Sequence, residues 1–481
     1  MSIDQAVDTF VAPFADKLFS IIFYSITLYQ PTDAAAIEVP LIVLWLIAAG
    51  VFFTFYLGLP NIRLFKHATA MAFDNKDNKS KGDISSFQAL MTTLSATVGL
   101  GNIAGVAIAV SVGGPGAVVW MVLTGFFGMA TKFVETALAV KYRVIFKDGH
   151  ISGGPMYYLK AGFDKHKQHN MGAFMAAFFC VCCIAGSIGG GNLFQSNQAY
   201  QQVVNVTGGD VSWWADKGWL FGILLGCLVA SVILGGIKSI AKVASKIVPI
   251  MGIMYMLAGL VVIAVNYQNI IPAFATIFTL AFTVKAGFGG LLGAIIMGVQ
   301  RGAFSNEAGF GSAPIGHAAA KTDSHISQGL AGMLGPFIDT VIICTITGLV
   351  ITISGVYTEY QDGMAGVSLT SKAFADTLSW FPYVLSVTVF LFAFSTMISW
   401  SYYGVKATTY LFKESPIARD SYKVIFCLCT VIGTTGSLDS VIKLTDAMIF
   451  AMAIPNIIGL YMFAREVKTD MNVYTKALKK K

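Results

Sequence analysis

Ser95-Ala96-Thr97-Val98-Gly99-Leu100-Gly101-Asn102-Ile103-Ala104-Gly105 lies inside a charge-free run from Ile84 to Thr131. A run of that length belongs in a membrane. A membrane helix should continue unbroken there, yet this stretch has two glycines two apart, and Ser95, Thr97 and Asn102 bring oxygens to membrane depth. An unpaired backbone amide or carbonyl in hydrocarbon costs several kcal/mol, so irregular backbone survives at that depth only where it is buried in protein or lines a cavity. The stretch reads as a helix break whose freed groups bind a solute and an ion. Gly101 to Gly105 is also a G-x-x-x-G, which by itself marks only close helix packing. A second copy of the pattern, described below, favours the break.

Composition agrees with a membrane setting. The 481 residues are 56% hydrophobic and 12% charged, with mean hydropathy +0.70, about half the charged fraction of a soluble protein. The chain is an all-α polytopic membrane protein. Cys180, Cys182, Cys183, Cys227, Cys344, Cys427 and Cys429 all lie in apolar stretches and read as small core residues. No two histidines are spaced i, i+4 and there is no G-x-S-G, so intramembrane protease chemistry has no support and the chain is not read as an enzyme. The net charge of +7 needs no nucleic acid partner, because its distribution accounts for it.

Residues 1–38 carry Asp4, Asp8, Asp16, Asp33 and Glu38 against Lys17, with Val7, Phe10, Val11, Phe14, Leu18 and Ile21 at helical spacing. This is an external amphipathic segment lying at the interface, and its acidic start is unlike a secretory signal. Residues 39–62 hold an extra span, Pro40 to Leu59. A basic loop with Arg63, Lys66, Lys76, Lys79 and Lys81 follows, then two spans parted by Gly113-Gly114-Pro115-Gly116. Lys132 and Glu135 are three apart on one helical face and read as a mutual ion pair. Further spans are Met171 to Val204, Leu220 to Gly236 and Ile247 to Val265. Residues 266–285 form a short external interfacial helix, interrupted by Lys285. After Gly287 the remaining spans are centred on Arg301 to Pro314, Ile326 to Ser354, Pro382 to Phe412, Tyr422 to Gly436 and Thr445 to Phe463. Residues 464–481 are a basic tail.

That gives eleven spans, with termini on opposite sides. With a cytoplasmic C-terminus, 25 of the 32 lysines and arginines fall at cytoplasmic segments. Lys17, Lys217, Lys285, Lys372 and Lys443 fall outside, and Lys132 and Arg301 lie within spans. The positive-inside rule therefore predicts an external N-terminus in a plasma membrane, a bacterial inner membrane by the absence of other targeting signals.

Ser95-x-x-x-Gly99-x-Gly101-Asn102 has the spacing of Ser305-x-x-x-Gly309-x-Gly311-Ser312. The copies sit on spans of opposite direction, so residues 86–265 and 286–463 form two five-span repeats of opposite topology, each opening on a broken helix. This is the sequence sign of an inverted-repeat secondary transporter.

Gly101-Asn102-Ile103-Ala104-Gly105-Val106, Gly113-Gly114-Pro115-Gly116-Ala117-Val118, Arg301-Gly302 and Ser305-Asn306-Glu307-Ala308-Gly309-Phe310-Gly311-Ser312-Ala313-Pro314 resemble the alanine or glycine:cation symporter family over roughly residues 40–465. Val98-Gly99-Leu100-Gly101-Asn102 is similar to a run in the neurotransmitter:sodium symporters of the LeuT fold. The resemblance implies a LeuT-like 5+5 fold and sodium-coupled uptake of alanine, glycine or a close relative.

A zwitterionic amino acid at the midplane needs amide donors for its carboxylate, acceptors for its ammonium and a fitted space. The outgoing half-helix at Gly99, Leu100, Gly101 and Asn102 supplies the donors with a favourable dipole. Gln195 and Asn192 are candidate ligands for the polar groups, though both could equally be interhelical hydrogen-bond partners. Phe304, Ser305 and Gly309 complete the substrate set, with Phe304 or Phe310 as a gate. Sodium needs about five or six hard oxygens. By resemblance one ion would use Ser95, Val98, Ser395 and Thr396, and a second would use Thr97 and Asn102. Glu307 and Arg301 are charged near the second break; Glu307 is expected to brace it by accepting backbone amides, with proton coupling as its other reading. Asp339 and Asp446 are expected in helix-end or network roles. The function read from all this is a sodium-coupled symporter of a small neutral amino acid, alternating access its mechanism; proton coupling is the alternative and a channel the more distant one.

Overall fold

The computed structural model describes residues 3–29, 37–72, 80–147, 149–283, 290–359 and 366–478. Asp33, Lys76, Lys79, Lys285, Lys479, Lys480 and Lys481 lie outside the described residues, as do the side chains of Asp4, Val7, Asp8, Phe10 and Val11.

The chain begins with helix α1 (Ile3–Ile22), which packs on two helices near the C-terminus and is pinned by Lys443 to Asp16 at 2.9 Å. A two-stranded antiparallel hairpin follows, β1 (Ser25–Tyr29) with β2 (Ile37–Pro40), in register Ser25 to Pro40 and Ile26 to Val39. The sequence reading had only a helix here. Helix α2 (Leu41–Tyr56) comes next, then α3 (Ser86–Thr97) and α4 (Ala104–Gly113). After these come α5 (Ala117–Lys141), α6 (His169–Val206), α7 (Gly218–Ile233), α8 (Gly236–Val265) and α9 (Ile270–Phe282). The second half holds α10 (Gly290–Asn306), α11 (Ala313–His317), α12 (His325–Ser354), α13 (Val367–Ala375), α14 (Phe381–Leu411) and α15 (Pro416–Thr435). It ends with α16 (Leu438–Ala451) and α17 (Ala453–Leu478). Residues 464–478 of the expected basic tail are helical, as the continuation of α17.

Among the described residues six helices are long and apolar enough to cross a membrane, and a bent pair, Ser86–Thr97 with Leu100–Gly113, makes a seventh span at an angle of 55°. The chain is a multi-pass membrane protein. Its outer helices present Leu228, Leu257, Phe278 and Val424 outward, more than a third exposed, as a lipid-facing surface requires. Lipid tails remove the hydrophobic drive between helices, so close backbone approach through small residues holds the bundle. A Cβ on Gly222 of α7 would sit 2.7 Å from the Val431 Cα of α15.

Every residue from Ala89 to Val110 is buried. Helix α3 packs on α8 and α14, and α4 packs on α10, which also lies along α5. The break between α3 and α4 therefore sits at the centre of the bundle.

Candidate functional site

Helix α3 starts on a capping box, with Ser85 Oγ accepting from the Gln88 amide and Gln88 Oε1 from the Ser85 amide, each at 3.1 Å. It stops at Val98, whose ψ of 81° turns its carbonyl off the helix axis. Gly99 is then extended, Leu100 to Asn102 form one tight turn, and α4 follows. Gly99 is required by space: a Cβ there would stand 2.5 Å from Thr396 Oγ1.

Around this break the structure gathers side chains from four other helices. The Leu100 amide donates to Gln195 Oε1 at 3.1 Å. Gln195 is aimed by its own donor, which reaches the Gly190 carbonyl at 3.0 Å. That carbonyl is available because α6 passes through a π turn at Gly189–Leu193. The Gly99 amide donates to Asn102 Oδ1 at 3.0 Å, and Asn102 Nδ2 donates to Ser305 Oγ and to the Asp339 carbonyl, both at 2.9 Å. A second π stretch, Phe337–Cys344 just after Pro336, exposes that carbonyl. Thr347 Oγ1 donates to the Asn102 carbonyl at 2.8 Å. Phe304 lies over Gly101, where a Cβ would be 3.2 Å from its ring, and packs edge-on against Phe194 at 5.3 Å between centroids. Behind Phe304, Arg301 forms a buried ion pair with Asp446, to which Gln300 also donates at 2.9 Å.

On the other side of the break, Thr396 Oγ1 donates to the Ser95 carbonyl at 3.0 Å and Ser95 Oγ to the Ser395 carbonyl at 2.6 Å. These are neutral hard oxygens of the kind sodium takes. The Thr97 carbonyl accepts from the Gly99 amide at 2.9 Å.

Two residues expected at the site lie elsewhere. Asn192 turns to α15, donating to the Phe426 carbonyl at 2.5 Å. Gly309 lies against Leu46 and Ile457, and its carbonyl accepts from Asn456 at 2.8 Å. Phe310 packs on Phe450 at 5.0 Å, so of the two aromatic residues only Phe304 faces the first break. Asp339, expected in a network role, stands at the site itself: its carbonyl holds Asn102, and its Oδ2 is buried with no hydrogen-bond partner.

The second break, between α10 and α11, corrects two further expectations. Lys132 and Glu135 do not pair with each other. Lys132 donates to the Asn306 carbonyl at 2.9 Å, at the end of α10. Glu135 Oε1 accepts from the Gly309 and Gly311 amides, both at 3.0 Å, and from Asn456 at 2.6 Å. The two charges of α5 thus complete the two ends of the break, as the macrodipoles of the half-helices favour. Glu307 is not the amide acceptor. Its carboxylate takes the Ser312 hydroxyl at 2.5 Å and the Trp400 indole at 3.0 Å. Its φ of 55° is left-handed, as are those of Gly309 at 93° and Gly311 at 79°. A non-glycine residue held there costs about 1–2 kcal/mol.

At the basic end of α3 the chain is stapled shut. Ile84 bridges Ala320 in parallel, and the Lys321 amide donates to the Ile84 carbonyl at 2.7 Å. Arg143 donates to four carbonyls, Ala318 at 3.0 Å, Ala320 at 2.6 Å, Lys81 at 2.9 Å and Thr322 at 2.8 Å. Sequence reading missed this residue; its only signal is an arginine at the end of a span beside two loops.

With this geometry in hand, likenesses to other proteins take on meaning. The family model described as "Sodium:alanine symporter family" matches residues 26–481. The "Sodium/alanine symporter AgcS" of Methanococcus maripaludis is 44% identical over 444 residues, covering 92% of this chain and 95% of its own. The "Amino-acid carrier protein AlsT" of Bacillus subtilis is 37% identical over 354 residues, 72% of this chain and 71% of its own. The crystal structure of MhsT in complex with L-phenylalanine superposes with a TM-score of 0.55 at 15% identity, covering 79% of this chain and 88% of that one, a likeness of fold.

Proposed function

Because the chain belongs to the sodium:alanine symporter family, we propose that it imports a small neutral amino acid, alanine or glycine, together with sodium by alternating access. The observation that carries this reading is the first break: there the Leu100 amide meets Gln195 Oε1 and the Asn102 side chain meets Ser305, with the Ser95–Thr396 oxygens beside them.

The roles follow from the chemistry. The Leu100 amide at the mouth of the outgoing half-helix holds the substrate carboxylate, a place where Gln195 Oε1 now sits as the neutral acceptor. Phe304 lies over the Gly101 backbone, where a Cβ would stand 3.2 Å from its ring, and this close approach favours a substrate with a small side chain. Sodium, the co-transported ion, sits among Ser95, Val98, Ser395 and Thr396, with Thr97 and Asn102 offering a second position. One sodium moving inward contributes about 2.3 kcal/mol per 100 mV. Phe304 with the Arg301–Asp446 pair closes the outer path, and the Arg143 staple closes the inner one. An eleven-span inverted repeat with an external N-terminus suits this arrangement. The two broken helices, α3–α4 and α10–α11, occupy equivalent places in residues 86–265 and 286–463, and the stapled end is the basic one.

Binding of radiolabelled alanine to the purified chain, with sodium exchanged for potassium, tests the reading. Sodium-dependent binding that Gln195→Ala abolishes supports it, and binding indifferent to both sodium and Gln195 sinks it. Proton coupling is the second reading. The buried Asp339 carboxylate, on the residue whose carbonyl holds Asn102 and with Oδ2 unpartnered among the described residues, favours it. In that case Asp339→Asn removes coupling to a pH gradient and leaves alanine binding in place.

A further inference from the structure

Outside the transport path, the basic end of the bundle carries a cavity of about 880 Å³ lined by Lys238, Lys406, Arg419 and Lys423 among others. Beside it, between α7 and α15, runs a groove of about 420 Å³ lined by Gly226, Cys227, Ala230, Cys427 and Leu428. The two share Ile233, Leu234, Asp420 and Lys423 and so adjoin; the first sets Lys238, Lys406, Arg419 and Lys423 against Asp83 and Asp420, a cationic excess, and the second is apolar.

We propose that this space binds one anionic glycerophospholipid, its headgroup among Lys238, Lys423 and Arg419 and one acyl chain in the α7–α15 groove. Three observations choose this occupant. First, the groove has a structural origin. Helices α7 and α15 touch closely at Gly222, and a Cβ on Gly226 would stand 3.1 Å from the Cys427 carbonyl; beyond that point small residues leave the gap open. Second, the rim is a lipid-facing surface: Leu234 is 70% exposed, and Val424 and Leu428 are each 61% exposed. Third, charge is complementary. Asp420 is taken up by Arg419 at 2.8 Å and approached by Lys423 at 4.0 Å, Lys406 is held by the Ile151 carbonyl at 2.9 Å, and Lys238 has no carboxylate partner among the described residues. The cationic excess sits where a chain lying in the groove would place its phosphate. Each lysine near an anionic lipid surface contributes roughly five-fold in affinity.

Native mass spectrometry of the full chain, released from micelles holding equal phosphatidylglycerol and phosphatidylethanolamine of matched chains, tests this. The wild type should retain phosphatidylglycerol preferentially, with Lys238→Gln and Lys423→Gln each lowering retention about five-fold. Lys160→Gln, an exposed lysine at the same end, should not. Ala230→Trp, which fills the groove and leaves the lysines alone, should also lower retention. The proposal is overturned by equal retention of the two lipids, by lysine variants that match Lys160→Gln, or by displacement of the lipid with soluble glycerol phosphate. A lipid-free dimer that Ala230→Trp breaks would assign the groove to a second copy of the chain.

Discussion

At Gly99 one missing methyl group decides the site. A Cβ would stand 2.5 Å from Thr396 Oγ1 and 3.2 Å from Gln195 Oε1, so it would push apart the two side chains that meet the break from opposite sides. Gly99→Ala should therefore abolish alanine uptake while the protein remains folded and monodisperse, measured by transport beside size-exclusion chromatography. Thr396 offers a finer test. Thr396→Val keeps the volume and removes one hydroxyl from the Ser95–Thr396 cluster; the sodium concentration for half-maximal uptake should rise roughly tenfold, about 1.4 kcal/mol, with little change in the saturating rate. An unchanged sodium dependence would remove Thr396 from the ion's ligands. At this scale the sequence was legible where the backbone itself breaks the helix, since Gly99, Gly101 and Asn102 announce themselves by type and spacing. It was less legible for side-chain direction. Asn192 and Gln195 are three apart, and only the π turn at Gly189–Leu193 shows that one faces the break and the other faces α15.

At the scale of elements, each broken helix is completed by partners from another helix. Glu135 accepts two backbone amides of the second break and the Asn456 amide. Glu135→Ala would leave the Gly309 and Gly311 amides buried and unpaired, at about 1–3 kcal/mol each, while Asn456 keeps the Gly309 carbonyl. The expected result is a large fall in thermal stability, with Glu135→Gln, which keeps an acceptor, falling less. Equal stability of Glu135→Ala and wild type would refute the clamp. Arg143 works on the first break from its basic end, tying four carbonyls together. In Arg143→Ala, a cysteine placed at Ala89 in a cysteine-free background should be alkylated about tenfold faster, since a loss of about 1.4 kcal/mol raises the open-to-closed ratio by that factor. Sequence spacing showed that Lys132 and Glu135 share a face but not what that face meets. Three residues apart suggested a local pair, and the distant break, itself rich in unpaired amides and carbonyls, competed successfully for both. The helix ends were legible from Gly and Pro; the hairpin of Ser25–Tyr29 with Ile37–Pro40 was not, because short edge strands carry little pattern.

Over the whole molecule, the two breaks lie in a bundle closed on both sides. Phe304, Phe194 and the Arg301–Asp446 pair stand on one side of the first break, and the Ile84–Ala320 bridge with Arg143 on the other. The proposed alternating access would need these two sets of contacts to open in turn. The membrane bundle and its first broken span were legible in the sequence, from hydropathy and from glycines set in a charge-free run. The most direct measurement is alanine uptake into proteoliposomes under an inward sodium gradient, against potassium and pH-gradient controls, for wild type and Asn102→Ala. The account predicts saturable, concentrative uptake that requires sodium and is lost in Asn102→Ala. Uptake that ignores sodium, or that persists undiminished in Asn102→Ala, would contradict it.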